Sequence, residues 1–546
     1  MSACCRKDKH NILVPCVRFR TIFVRYRTQL PLRSFRYTAD KQSSACLARL
    51  LNYILQKSNA MFRRVLLPIL LACCLLPTVR AQEVMELTLQ QTIDHARRYS
   101  PDAQSARHSF RSSYWNYRYY RANYLPNLSL SSTPYLDRAI NKVTQSDGSV
   151  KFVEQNLLST DLTLSLTQNV TWTGGTFFVE TSAQRLDLFS DNSHSYQTSP
   201  VNIGYQQSLF GYNSLKWNRR IEPVRYREAR KKYAETLELV AAAATQKFFD
   251  LATAQSNYET ACTNYANADT LYMYARGRYD IGTISENEML QLELNKLTEE
   301  TNRMNARIEV DNAMQELRSY LGIQQDVELH VNISDFVPQF QIDLDEALLL
   351  ASQNSPDIDN MQLRRLESES AVAQARANAG LKADIYLRFG LTQTSDRWRE
   401  AWRNPMDQQY VSLSISLPIL DWGRGKGQVR VAKSNRDLVK TQVEQDKTDF
   451  DLNIRKLVKQ FNLQARRVHI AARTDTTARR RAEVARRLYL LGQSTVLDLN
   501  ASISEKDSAR RAYLTALYDY WSLYYTLRSL TLYDFGRRRE VEVEEL

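Results

Sequence analysis

The chain has 546 residues, enough to bury a large core, and a formal charge of +13 that invites a nucleic-acid reading. The charge sits at one end: residues 1–60 carry twelve Lys/Arg against two acids, Arg63, Arg64 and Arg80 add three, and residues 82–546 balance to zero. That removes the case for nucleic-acid binding, and with Cys262 the only cysteine after residue 82, an internal disulfide or a cysteine-rich zinc site in the main body is excluded as well.

Residues 1–60 show no clear periodicity and read as a start-site artefact or an unstructured leader. Residues 61–81 have the form of a secretory signal peptide. Arg63 and Arg64 supply the basic start, residues 65–76 (VLLPILLACCLL) the apolar core, and Val79-Arg80-Ala81 the small residues before cleavage. A membrane anchor is the alternative, although twelve apolar residues are too few to span a bilayer. Lipidation at Cys73, after Leu70-Leu71-Ala72, is another.

From residue 82 the chain is written twice. Residues 87–102 align with 342–357, both ending Ser-Pro-Asp, and Arg121-Ala122-Asn123 aligns with Arg376-Ala377-Asn378 at the same offset of 255. Residues 201–210 align with 411–420, and 279–282 with 489–492, at an offset of 210. Four matches in order with one change of offset indicate a duplication, the first copy holding 45 extra residues. The expected organisation is a first repeat over 82–329, a linker over 330–341 at the equator, a second repeat over 342–533, and a charged tail over 534–546.

Each copy opens with a helix, about 89–123 and 344–379. Strands follow with period-two alternation: Leu162, Leu164 and Leu166 against Thr163, Ser165 and Thr167, then Val411, Leu413 and Ile415 against Ser412, Ser414 and Ser416. A very long helix comes next, about 212–279 and 424–489, with apolar residues stepping by three and four (Tyr233, Leu237, Val240, Ala244, Phe248, Leu251), which is a coiled-coil seam. At 1.5 Å per residue it spans roughly 100 Å. A Gly-containing turn and a second helix, about 284–321 and 495–530, complete each copy. The two shorter helices, end to end, match the long one in length.

The strands are of bilayer-crossing length, and backbone groups in lipid must all be paired, so such strands must close into a barrel. One chain supplies too few for closure, which predicts several chains. Trp115, Trp172, Trp217, Trp398, Trp402 and Trp422 lie in or near strand ends, where an interfacial aromatic belt requires them.

These paired Ser-Pro-Asp helices, the strand exit at 418–423 (PILDWG) and the duplicated Tyr-x-x-Gly turns resemble the TolC family of outer-membrane efflux channels over residues 85–532. The resemblance implies an all-α coiled-coil helical barrel joined to a transmembrane β-barrel, internally duplicated and assembled as a homotrimer. It also implies an outer-membrane location with a periplasmic helical section, a periplasmic adaptor protein and an inner-membrane pump as partners, and no cofactor. Twelve strands are implied, but the 45 extra residues would make eighteen if they add two strands per chain.

No phosphate-binding loop, HExxH or Gly-x-Ser-x-Gly motif is present, so the sequence gives no enzymatic reading. By the resemblance, the turn residues Ile281, Gly282, Thr283, Leu491, Gly492 and Gln493 contact the adaptor. Asp498 and Glu288 would line the pore entrance, with Tyr489 in the closing network. Ser494 and Ala501 stand where the family has a basic gate residue and a second aspartate, so closure here must differ. The expected function is a passive exit duct of a tripartite efflux or type I secretion system. A structural trimeric stalk or adhesin without through-flow is the alternative.

Overall fold

A computed structural model describes residues 84–541 apart from 325, 326, 335 and 336. The expected leader, the signal peptide with Cys73, and residues 542–546 of the expected tail lie outside the described residues.

In chain order the elements are β1 (Val84–Thr88), α1 (Leu89–Tyr99), α2 (Pro101–Ala122), β2 (Asn127–Ser131), β3 (Tyr135–Thr144), β4 (Val150–Val170), β5 (Gly175–Leu188), β6 (Ser193–Ser208), α3 (Ser214–Asp280) and α4 (Glu286–Leu321). There follow β7 (Glu328–Asn332), α5 (Leu344–Asn354), α6 (Pro356–Ala379), β8 (Lys382–Ser395), β9 (Met406–Ser416), α7 (Arg424–Leu490), α8 (Val496–Thr531), β10 (Tyr533–Asp534) and β11 (Arg539–Glu540).

The helices expected over 89–123 and 344–379 are each two helices. Ser100 closes α1 and caps α2, its Oγ accepting from Ala103 N at 3.1 Å, and Ser355 does the same for α5 and α6 toward Asp357 N at 3.2 Å. Pro101 and Pro356 cannot continue a helix, having no N–H, but their fixed φ suits the first turn of a new one. The two long helices have 67 residues each and their partners 36 each.

The main core lies at the level of α1 and α5, where both long helices cross the linker. Ile93, Phe248, Leu251, Leu317, Phe461 and Tyr520 are buried there, each such side chain contributing roughly 1.5–3 kcal/mol. β1 and β7 pair in parallel, so β7 lies across the 329/330 boundary expected between first repeat and linker. The expected tail begins as packed structure: β10 and β11 form a small antiparallel pair, with Asp534 and Phe535 buried.

The remaining strands form one sheet in the order β2, β4, β5, β6, β8, β9, with β3 also on β4. β2 and β3 are a single lane, because Ser131↔Thr163 and Tyr135↔Ser159 keep one register. The lane is interrupted at Pro134, which has no N–H for a ladder bond; Ser132 Oγ and Thr133 N bond to Asp161 instead, at 2.5 and 3.1 Å. Among the described residues one chain therefore carries six antiparallel lanes. Strand lengths run to 21 residues, longer than expected, because β3 and the far end of β4 extend past β5.

Outside the bulges in β6, facing alternates along the strands. Leu128, Leu166, Val179, Ile203, Phe389 and Gln409 pair in succession across the sheet, so one face is a nearly continuous apolar band. The opposite face carries Ser129, Ser165, Glu180, Asn202, Gly390 and Gln408. On that polar face the Arg388 guanidinium lies 4.0 Å from Glu180 and over the Tyr410 ring. An apolar outer and polar inner face is the signature of a membrane barrel wall.

Candidate functional site

The two turns joining the long helices to their partners are built alike. At the first, Gly282 N donates to Tyr279 O at 2.8 Å and Thr283 N to Arg278 O at 2.9 Å; at the second, Gly492 N donates to Tyr489 O and Gln493 N to Leu488 O, both at 2.9 Å. Each pair of bonds is a Schellman closure, which needs a left-handed residue after the helix. Gly282 and Gly492 supply it, both at φ +74°, and no atom lies within 4 Å of a Cβ built on either. The glycines are therefore required by backbone conformation and not by crowding.

After each turn a hydroxyl restarts the chain as a helix. Ser285 Oγ accepts from Glu288 N at 3.3 Å, and Thr495 Oγ1 accepts from Asp498 N at 3.2 Å. Glu288 and Asp498 thus occupy the first turns of α4 and α8, where a negative charge complements the helix dipole. Asp498 is exposed, and its Oδ2 accepts from Thr495 Oγ1 at 3.0 Å. The apolar residues at the tips point into solvent: Ile281 is 73% exposed, Leu491 72% and Leu497 74%.

Behind the turns a small apolar cluster of Leu271, Ala275, Leu292, Tyr489, Val496 and Leu499 ties the two hairpins together. Tyr489 is buried in it, and that burial, with the charge of Glu288 nearby, raises its phenol above the ordinary range. The sequence-predicted residues are accordingly divided by the fold. Tyr489 is buried at the hairpin junction and feels the charge of Glu288, Asp498 and Glu288 hold equivalent first-turn positions behind the caps Thr495 and Ser285, and the six turn residues form two exposed loops. Ser494 is half-buried and Ala501 exposed.

Sequence reasoning missed the buried charges higher up. Glu238, 1% exposed, accepts from Arg97 Nη2 at 2.7 Å and lies 3.1 Å from Arg528 Nε, and Arg528 Nη1 reaches Asp534 at 2.9 Å. Asp359 is held by Arg227 and Lys231 at 2.8 and 2.7 Å, joining α6 to α3. Periodicity gave no signal for these, since the partners lie far apart in sequence. The one available hint was an ionisable residue at 238, between the seam residues Leu237 and Val240.

The aromatic residues frame the sheet at both ends. Trp172 lies in the β4–β5 turn beside the starts of α3 and the end of α2, with Trp217 and Trp422 at the same level; Trp398 and Trp402 stack edge-on at 5.6 Å beyond the other end.

A family model described as "Outer membrane efflux protein" matches residues 92–323 and 347–539. Among solved structures, the chain is similar to the CmeC outer membrane channel of Campylobacter jejuni, at 16% identity and TM-score 0.61, with 83% of this chain and 87% of that one covered. It is similar to the outer membrane protein VceC of Vibrio cholerae at 14% identity and TM-score 0.58, covering 83% and 97%. The open state of the MtrE outer membrane channel of Neisseria gonorrhoeae aligns at 15% identity and TM-score 0.56, covering 83% and 91%. No curated protein sequence matches the chain.

Proposed function

Because the chain belongs to the outer membrane efflux protein family, we propose that it is the exit duct of a tripartite or type I export system, assembled as a homotrimer on a periplasmic adaptor and an inner-membrane pump. As an efflux channel of the outer membrane, with its helices in the periplasm, it is a passive conduit and not an enzyme.

The observation that carries the assembly is that every tier of the chain has the same two open edges. The sheet ends in β2/β3 on one side and β9 on the other. Just below it α2, α3, α6 and α7 pack in sequence; toward the tips the order is α4, α3, α8, α7. The helix α7 continues the β9 edge throughout, and α2 and α4 continue the β2 edge. Unpaired strand edges cannot remain in lipid. The edge helices carry matching apolar stripes in the open: Leu290, Leu294, Leu297, Met304 and Ile308 on α4, and Leu463, Ile470 and Val484 on α7. Their spacing is that of a coiled-coil seam without its partner. Two different edges meeting head to tail close into a ring, which supports a cyclic assembly.

In this reading residues 61–81 are removed, 82–329 and 342–533 are the duplicated halves, and 330–341 belongs to the equator. The matched 67- and 36-residue helices support that duplication. Ile281, Gly282, Thr283, Leu491, Gly492 and Gln493 are the adaptor contacts, a role supported by their exposed apolar tips. Asp498 and Glu288 ring the entrance, and Tyr489 steadies the junction behind them. Native mass measurement of the detergent-solubilised protein tests the assembly: three chains are expected, and a monomer that still inserts into membranes would overturn it.

A further inference from the structure

The tips of the two helical hairpins stand at one level, because Leu271, Ala275 and Leu292 of the first share a buried cluster with Tyr489, Val496 and Leu499 of the second. A rotation about the tunnel axis carries one copy onto the next without changing height. Residues of α4 and of the next copy's α7 can therefore be matched by counting equal distances along the helices from Gly282 and Gly492. Counted so, Leu290 stands opposite Val484, Leu297 opposite Thr477 and Met304 opposite Ile470. The exposed apolar stripes of the two edges come into register without adjustment.

Charge follows the same frame. Over residues 286–300 α4 carries five acids and one Lys, and over 473–487, at the same heights, α7 carries six Arg and two acids. The inner helices are nearly balanced: α3 has two charges of each sign over 266–280, and α8 has three acids and two bases over 496–510. The imbalance belongs to the edges. On each edge it recurs every seven residues, as Glu286, Glu293 and Glu300 on α4 and Arg473, Arg480 and Arg487 on α7. Seven residues are close to two turns, so each row keeps to one side of its helix. The count from the tips puts every Glu within one residue, about 1.5 Å of height, of an Arg. Arg487 is already paired with Glu483 of its own helix. Among the described residues Glu293, Glu300, Arg473 and Arg480 have no ion-pair partner in their own chain, and both arginines are exposed.

We infer that the two rows are a recognition code: the basic row of α7 pairs with the acidic row on α4 of a second copy of this chain. The inference rests on the homotrimer proposed above. Apolar stripes hold helices together, but the charges flanking a seam decide partner and orientation. Contact of α4 with α4, or of α7 with α7, sets like charges side by side. Only the head-to-tail contact at equal height matches every row, so a channel chain that lacks the rows is kept out of the ring.

The test exchanges the code in the full-length protein. One variant reverses a single edge, with Arg473→Glu and Arg480→Glu; a second adds Glu293→Arg and Glu300→Arg and so reverses both. These four charges are unpaired within the chain, so circular dichroism should report wild-type helicity in each variant. By native mass, the single-edge variant is expected to lose about tenfold in trimer at 0.1 M salt and to regain most of it at 1 M, where the screening length falls from about 10 Å to about 3 Å. The double-edge variant should form trimers at low salt. Co-expressed with mass-tagged wild type, it meets like charge at every mixed contact, so two kinds of homotrimer are expected and mixed rings are not. A single-edge variant that assembles like wild type at low salt would overturn the inference and leave the trimer standing. So would a double-edge variant that folds without assembling, or one that mixes with wild type in chance proportions. A wild-type mass other than three chains would overturn both readings. Should one variant fail to fold, the other decides alone.

Discussion

Glu238 shows what a single residue can hold together. It joins α1, α3 and α8 through Arg97 and Arg528, and Arg528 passes the link to Asp534 at the start of the C-terminal hairpin. A buried pair stabilises little beyond an apolar substitute, but removing one member strands the other charge, which costs about 3–5 kcal/mol. Glu238→Ala is therefore expected to lower the thermal midpoint of the helical section, followed by circular dichroism, far more than Glu222→Ala, whose partner Arg225 is half-exposed. Tyrosines around the same layer add a pH dependence. Burial pushes Tyr320 and Tyr525 up to about 12 from an ordinary 10.0, and raises Tyr520 and Tyr524 as well. An unfolded chain ionises them near 10, so their contribution is complete below that pH and is lost as pH rises to about 12. Helicity should fall across that window, and Tyr525→Phe should flatten the slope. At the tips, Gly492→Val forces a β-branched residue to φ +74°, at a strain of about 1–2 kcal/mol or more. Nothing is displaced there, so folding and insertion should persist while adaptor capture and export decline. Unchanged capture by both Gly282→Val and Gly492→Val would reduce the turns to simple helix ends.

At the scale of elements, the edge stripes make the sharpest claim. Leu294 is exposed on α4 in the middle of a run with three- and four-residue steps. Leu294→Glu places a charge in the proposed seam without touching the chain's own core, so native mass should show trimers giving way to monomers that keep their helical signal. The long helices were legible in the sequence, because the three- and four-residue steps from Tyr233 to Leu251 mark a coiled-coil seam. The Ser-Pro pairs were visible as repeat markers, yet their structural meaning was not drawn: Ser100 and Ser355 each end one helix and cap the next. In the sheet, Leu162–Leu166 alternation announced β4, and the 45 extra residues of the first copy left room for an added hairpin. The collinearity of β2 and β3 was hidden by Pro134, and the bulges in β6 near Pro200 shift a register that period two alone cannot follow. Of the tip, Gly282 and Gly492 could be read from conformation. The burial of Tyr489 beside Glu288 could not, since it depends on how the two hairpins pack.

At the scale of the molecule, the three tiers share one pair of edges, and the account stands on their closing into a conducting ring. Cyclic symmetry would present each Asp498 three times around one axis, and a ring of carboxylates in a narrow mouth favours cations. The most direct test is single-channel recording of the purified protein in a planar bilayer. Discrete, cation-selective steps are expected, with Asp498→Asn keeping the steps and losing much of the selectivity and of the block by multivalent cations. Bilayers that take up the assembled protein and yet show no steps would contradict the account.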